Sequence, residues 1–192
     1  MARTARLKSI DEGARPDAQT WTTAALEVLA EQGIDGVRIE VLAKRIGFTK
    51  GSFYWHFKDR EALFDAMLDE WRRKTTLDII ARLERSDKPS IVRVRNLLRL
   101  PLAGQKSDRA LDLDLAIRIW GRRHPKARAA MEEIDQLRLS HLSGLLEGCG
   151  IKKEEAAARA ILAYAYMGVA GALVGSRQTE LMTRCENILL GA

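Results

Sequence analysis

Residues 39–63 read IEVLAKRIGFTKGSFYWHFKDREAL, and this stretch decides the fold. Ile39, Leu42, Ala43 and Ile46 recur at i, i+3, i+4 and i+7, the spacing of one helix face. Gly47 stops that helix, because glycine takes the left-handed conformation that commonly ends one. Thr49 follows at once and is placed to cap a further helix over residues 50–57. Within it Phe53 and Phe57 lie four apart and face a shared core. Lys50, Ser52, Tyr54, Trp55 and His56 are left for the other faces. Asp59 then caps a longer helix whose Leu63, Phe64, Met67, Leu68 and Trp71 form an apolar stripe. Upstream, Asp17 is a cap for a first helix carrying Trp21, Ala25, Val28 and Leu29 on one face. Gly33 and Gly36 bracket the turn after it. A helix, a tight turn and a second helix make the helix-turn-helix arrangement. Aromatic residues at the seams supply its small core.

A helix this short cannot bury Tyr54, Trp55 and His56 together, and an exposed aromatic and polar surface marks a binding face. Gly51 costs stability in a first helical turn, yet it lets a phosphate or base edge come close. Thr49 and the N–H groups behind it suit a phosphate at the positive end of the helix dipole. The 192 residues hold 32 Lys and Arg against 26 Asp and Glu, a net charge of +6. Between residues 36 and 60, Arg38, Lys44, Arg45, Lys50, Lys58 and Arg60 face only Glu40 and Asp59 as charged neighbours in sequence. That balance is compatible with a nucleic-acid partner, though charge alone leaves an ordinary basic protein open.

The stretch resembles the DNA-binding module of the tetracycline-repressor (TetR) family of transcription regulators. The resemblance rests on Leu42-Ala43 in the second helix, the Gly47-Phe48-Thr49 turn, Tyr54-Trp55-His56-Phe57, the basic Arg60, and Glu61-Ala62-Leu63. The AALEVLAEQG run at 24–33 is similar to the family's first helix. It implies that Tyr54 and His56 contact DNA phosphates, with Thr49 or Lys58 doing so at the flanks. Lys50, Ser52 and Trp55, beside Gly51, are implied to reach base edges or neighbouring phosphates. The family often has Ser or Thr at the start of the second helix; here Val37 and Arg38 stand there, and Arg38 can make the same contact with a longer reach. The expected architecture is all-α. A flexible basic arm occupies 1–16 and a DNA-binding domain 17–62, with its helix-turn-helix at about 38–57. A larger helical domain over 63–192 binds an effector and dimerises.

That larger part reads as helices over 90–102, 125–147, 152–175 and 179–190, with loops at 86–89 and 103–108. Residues 111–119 alternate apolar and polar like a strand. Yet Leu111, Leu115 and Ile119, with Ala116 and Trp120, also fit a helix, and no second alternating run exists to pair with, so helix is expected. Gly168, Gly171, Ala172 and Gly175 line one side of the helix over 152–175, a spacing that lets helix backbones approach. Leu181, Cys185, Ile188 and Leu189 line the closing helix. These two helices are the expected homodimer interface. Met67, Trp71, Arg118, Trp120, Tyr164 and Tyr166 are candidates for an effector pocket, being apolar with a few polar anchors. Arg118 sits in an apolar run, where pairing with a carboxylate on a neighbouring helix is commoner than binding an acidic ligand.

Other function classes find little support. Residues 160–176 are uncharged between Arg159 and Arg177, but this is 17 residues rich in alanine and glycine, short of the roughly 20 strongly apolar residues of a membrane span. No apolar run follows the basic N-terminus, so no signal peptide is expected. Cys149 and Cys185 form no CxxC, which favours a reducing cytoplasm. His124 and His141 lack partners at metal spacing, and Asp112 and Asp114 lie on different helix faces, so neither a metal nor a cofactor is expected. No catalytic constellation stands out. The expectation is therefore a repressor of double-stranded operator DNA, released from a palindromic site by a small molecule. The alternative is a ligand-independent activator or architectural protein with the same module.

Overall fold

The computed structural model describes the backbone of residues 17–100, 105–174 and 179–191, and the side chains of 17–100, 109–169 and 180–191. The basic arm expected over 1–16 lies outside the described residues. Asp17 opens α1 (Ala18–Gln32): its Oδ1 accepts from the Thr20 backbone N–H and from the Thr20 hydroxyl, each at 2.7 Å. Gly33 and a single 3-10 turn (Ile34–Gly36) lead into α2 (Ile39–Ile46). Gly47, at φ 75°, closes α2 in the left-handed conformation that a side chain would resist. Asp59 caps α4 (Arg60–Arg72) through the Ala62 N–H at 2.8 Å.

Between them α3 runs only from Lys50 to Phe53, not to residue 57 as the spacing predicts. The His56 and Phe57 N–H groups both reach back to the Phe53 carbonyl at 3.0 Å, so the chain turns there instead of extending. Tyr54, Trp55 and His56 favour helix weakly, and Asp59 must be extended to cap α4. Thr49 has the extended backbone of a cap but makes no side-chain cap bond; the Ser52 hydroxyl donates to the Thr49 carbonyl at 2.7 Å instead.

After α4 the helix widens into a π turn (Arg73–Leu77) before α5 (Asp78–Glu84), elements that the sequence pattern leaves unassigned. The Thr75 hydroxyl donates to the Trp71 carbonyl at 2.8 Å, and such a side chain inserted into the backbone ladder is one cause of local distortion. Then come α6 (Ser90–Leu98), α7 (Gln105–Gly121), α8 (Pro125–Glu147), α9 (Lys153–Val174) and α10 (Thr179–Leu190). The alternating run is helix, and α7 begins at Gln105, within the stretch to 108 that reads as a loop.

The buried face of α7 is rotated from the expected one. Ile117 and Trp120 are buried, with Leu113 and Ala116 packed beside them, whereas Leu115 and Ile119 are 58% and 59% exposed. Period-two alternation wrapped on a helix puts apolar residues on several faces, and contact with α1 and α8 selects one of them.

Two apolar cores result. The first joins α1–α4 to α7 and the start of α8, through Trp21, Leu42, Phe53, Leu63, Trp71 and Ile134. The second joins α6, α8, α9 and α10 through Val94, Leu98, Leu146, Ala160 and Leu190. At 23 residues, about 34 Å long at 1.5 Å per residue, α8 runs through both.

Glu186 fastens α10 to α6. It is 1% exposed, and accepts from Arg95 Nη1 at 3.2 Å and from Arg99 Nε and Nη2 at 2.7 and 2.8 Å. Removing the carboxylate strands two guanidinium groups. A fully buried pair broken this way loses about 3–5 kcal/mol. Here both arginines keep access to water, so Glu186→Ala should lose about 2 kcal/mol in urea unfolding. A loss below about 0.5 kcal/mol, the range of an ordinary surface change, would contradict this role.

Candidate nucleic-acid interface and interior cavity

The interface is built on a core that holds its aromatic rings from below. Phe53 is fully buried, with Trp21 edge-on at 5.3 Å and Phe57 stacked at 5.3 Å. This fixes the chain so that Tyr54 and Trp55 stand outward, 58% and 69% exposed, on a module whose core is complete without them. Thr49, Lys50, Gly51, His56, Lys58 and Arg38 are exposed as well, and Ser52 is half-buried. All nine sequence-chosen residues thus lie at least partly open along α3, the turns beside it and the start of α2. A Cβ added at Gly51 would meet only Thr49 Oγ1, at an ordinary 3.7 Å, so packing within the chain does not require glycine there.

The basic residues divide by role. Arg45 on α2 makes two 2.7 Å bonds to Glu31 and one of 3.1 Å to Glu27, tying α2 to α1. Arg60 donates through Nε to the Val37 carbonyl at 2.9 Å and through Nη2 to the Ile34 carbonyl at 3.1 Å. Its guanidinium also lies 4.8 Å over the Phe64 ring. These two arginines are structural. Lys50 Nζ is held by Glu40 Oε1, and this hydrogen bond keeps the exposed Glu40 carboxyl below its usual range. Glu40 escapes a reading of the sequence, because ten residues separate it from Lys50. Arg38, Lys44 and Lys58 point outward.

Residues 22–67 match the family described as bacterial regulatory proteins, tetR family. The chain is similar to the tetracycline repressor protein class D of Escherichia coli, 42% identical over 57 residues; these are 30% of this chain and 26% of that protein. It is also similar to an uncharacterized HTH-type transcriptional regulator, TtgW, of Pseudomonas putida, 30% identical over 97 residues; this covers 50% of this chain and 72% of TtgW. The chain belongs to the TetR family of transcriptional regulators. The likeness of fold extends further. A transcriptional regulator from Rhodococcus sp. Rha1 superposes with a TM-score of 0.69 at 24% identity, over 92% of this chain and 95% of that one. The matched helix-turn-helix module is the family's DNA-binding part, and the chain spans about a quarter of the length of the tetracycline repressor it matches.

Outside that module, α5–α9 of this TetR-family protein surround a cavity of about 750 Å³. Ile79, Leu83, Leu97, Leu111, Leu139 and Ile161 make much of its wall. Arg118 and Tyr164 line it as expected. Arg118 donates to both oxygens of Asp135 on α8, at 2.8 and 2.7 Å, which is the neighbouring-helix pairing that the sequence favours. Arg138, 14% exposed, donates to Asp114, to the Thr76 hydroxyl at 2.8 Å and to the Thr75 hydroxyl at 3.0 Å. The Tyr164 hydroxyl accepts from Arg138 at 2.9 Å and donates to Asp135 at 2.6 Å. Burial pushes this phenol up, so it stays a donor. Asp114, Asp135, Arg138 and the two threonines are not foreseeable from the sequence, since they come together only through packing.

Met67, Trp71 and Trp120, expected at the pocket, instead fill the first core at 0%, 0% and 3% exposure. Trp71 meets the polar network through its Nε1, which donates to Asp114 at 2.6 Å, through its carbonyl, which accepts from Thr75, and with its ring 5.8 Å from the Arg138 guanidinium. Tyr166 packs against the second core and contacts the Met182 sulfur. A large aromatic beside a polar residue reads alike in a pocket and in a core; here the core claims most of them.

Of the residues expected at a dimer interface, Leu181 and Ile188 are 47% and 76% exposed. Cys185 and Leu189 are half-buried, and Gly168 is exposed at the cavity's edge. Gly171 and Ala172 lie in α9 outside the described side chains, and Gly175 lies outside the described residues. Among the described residues, no three His, Cys, Asp or Glu side chains converge as a metal site would need. None of the described helices is long and apolar enough to cross a membrane.

Arg60→Ala removes both bonds to the segment that delivers α2. Hydrogen bonds to charged groups contribute about 1.5–3 kcal/mol at best, and exposure reduces that, so a stability loss of about 1 kcal/mol is expected. Amide exchange at Val37 and Arg38 should accelerate while the helix content holds. Arg60→Lys should not restore protection, because one ammonium cannot reproduce the two-pronged geometry. Unchanged exchange in both variants would show that the segment stands by itself.

Proposed function

We propose that this protein is a cytoplasmic, homodimeric repressor. Residues 17–62 bind one half of a palindromic operator, and residues 63–192 carry the dimer contact and an effector site. The observation that carries the reading is the Tyr54-Trp55-His56 shelf, an exposed aromatic face above a core that is closed without it. Tyr54 and His56 contact phosphates, and Thr49, Lys58 and Arg38 flank them. Lys50 and Ser52, with Trp55 beside them, reach base edges where Gly51 lets the duplex approach. The likeness to the tetracycline repressor class D supports repression over activation. The cavity supports release by a small molecule over a ligand-independent architectural role.

Dimerisation is supported by unpartnered apolar faces. Leu162 and Val169 lie seven apart on α9 and are 61% and 50% exposed; Leu181 and Ile188 lie seven apart on α10. Exposed stripes of this kind mark association surfaces. Gly168, Gly171, Ala172 and Gly175 on α9 and just beyond it, and Cys185 and Leu189 on α10, complete the proposed four-helix contact. Ligand release follows from the network at the end of α4. A molecule in the cavity moves α7 against α4 at the Asp114–Trp71 bond without breaking the Arg138–Asp114 pair, and α4 carries that shift to the module.

Selection of bound sequences from random DNA supplies the operator for the tests. Tyr54→Phe and His56→Ala should weaken the operator and random DNA alike, because phosphate contacts carry no sequence information. Lys50→Ala should instead relax preference at one base pair per half-site, with discrimination falling by about 1–3 kcal/mol. Uniform loss across operator variants would make Lys50 a phosphate contact. Full affinity in both Tyr54→Phe and His56→Ala would remove the shelf from the interface.

The dimer assignment predicts that Ile188→Glu sediments as a monomer, since the charge would sit unpaired in the contact. Its operator affinity should drop to the non-specific level, roughly 10⁻⁴–10⁻⁶ M, once the two modules are no longer tethered. A dimer with normal operator binding would place the interface elsewhere.

A further inference from the structure

The cavity walls define a ligand class through how their charges are used. Its volume, about 750 Å³, lies within the range of small-molecule sites, roughly 300–1,000 Å³. Four charged groups face it on α7 and α8, and they cancel. Arg118 is matched by Asp135 through two hydrogen bonds, and Arg138 by Asp114. The Tyr164 hydroxyl links the two pairs, accepting from Arg138 and Arg118 and donating to Asp135. The other N–H groups of Arg138 are directed to Thr75 and Thr76. At the rim, Lys74 is paired with Glu70 at 2.6 Å.

A carboxylate ligand could reach either guanidinium only by displacing an aspartate, and that aspartate would then be left unpaired in a largely apolar wall. An ammonium ligand would strand an arginine in the same way. Breaking a pair by removing one partner is the costly direction, most of all at Arg138–Asp114, whose side chains are 14% and 22% exposed; Arg118 and Asp135 are more open, at 44% and 25%. A neutral molecule disturbs neither pair. His141 lies one turn beyond Arg138 on α8 and also lines the cavity, with its Nε2 itself fully buried away from it. Burial lowers the His141 imidazole below its usual range, outweighing the opposing pull of Glu84, so it adds no charge to the wall at pH 7.

We infer that the cavity takes an uncharged, largely apolar molecule, and that it discriminates against carboxylates and ammonium ions. This rests on reading the cavity as the effector site.

The test uses the intact protein and charge-matched probes. N-phenyl-1-naphthylamine is neutral and brightens in apolar surroundings; its 8-sulfonate has the same rings and a negative charge. The neutral dye should bind at least about ten-fold more tightly. Dodecanol should displace it at about ten-fold lower concentration than dodecanoate or dodecylammonium, which controls for the sulfonate's bulk. Leu139→Trp and Ile161→Trp fill the wall and should each abolish dye binding. Ile161 is already 59% exposed, so that variant retains its fold even if Leu139→Trp does not. Asp135→Asn leaves Arg118 without its counter-charge, and dodecanoate should then gain about ten-fold while dodecanol stays level.

Dodecanoate or dodecylammonium equalling dodecanol on the unaltered protein overturns the inference. So does dye binding that survives Ile161→Trp, and so does the absence of any binding. Operator affinity read in the same samples separates the two readings. Neutral probes that fill the cavity without loosening the operator remove the effector role and leave the ligand class standing. A charged probe that binds best and releases the operator keeps the effector role and overturns the class.

Discussion

The Arg138–Asp114 pair is the interaction on which the arrangement of the larger part depends. Burial alone would lower the Arg138 guanidinium, but the charge and hydrogen bond of Asp114 together with Tyr164 outweigh it and raise it, so Arg138 stays charged. From α8 this one side chain reaches α7 through Asp114, the π turn through Thr75 and Thr76, and α9 through Tyr164. A lone charge in this position would be strongly unfavourable, and so would a lone aspartate. The elements that satisfy Arg138 are therefore fixed relative to one another. The polar end of the cavity is the place where they meet, which is why an otherwise apolar wall has a polar patch there.

The π turn carries the residues that meet the same arginine. The Thr75 hydroxyl donates to the Trp71 carbonyl and accepts from Arg138, and the Thr76 hydroxyl accepts from Arg138 as well. Single π turns of this kind are often found at functional sites, where a local distortion is kept because something nearby needs it. Here a carbonyl and two hydroxyls are aimed at one guanidinium.

How far the sequence can be read depends on the range of the interaction concerned. Asp17, Gly47 and Asp59 are legible because a cap is satisfied within three or four residues. Pro125 and residue 147 bound α8 in both reading and structure for the same reason. The exposed face along α3 and the turn after it is legible because its residues are contiguous, and the shelf follows from two buried phenylalanines four apart. The length of α3 is misjudged, since its end is set by ring packing around Phe53 and by the extended conformation that Asp59 needs. The buried side of α7 is misjudged because an alternating run offers several apolar faces and only contact with α1 and α8 decides among them. The cavity is mostly illegible. Asp114 and Arg138 are 24 residues apart and Thr76 and Arg138 are 62 apart, and no local pattern distinguishes them from surface charges and hydroxyls.

The position of α4 gives the two sites a common mechanical element. Its first turn holds Arg60, bonded to the carbonyls of Ile34 and Val37 in the segment that delivers α2. Its last turn holds Trp71, bonded to Asp114 at the edge of the cavity network. The helix is 13 residues, about 20 Å at 1.5 Å per residue, and most of its apolar face is locked into the first core. A close-packed helix does not compress, so a displacement at Trp71 cannot be absorbed along its length and must appear at Arg60 or as a rotation of the whole helix. Under the proposed function, this makes the Asp114–Trp71 bond the point where occupancy of the cavity is converted into module position. It also explains why a tryptophan stands there: its ring anchors α4 in the core, while its one N–H reports on an aspartate that answers to the cavity.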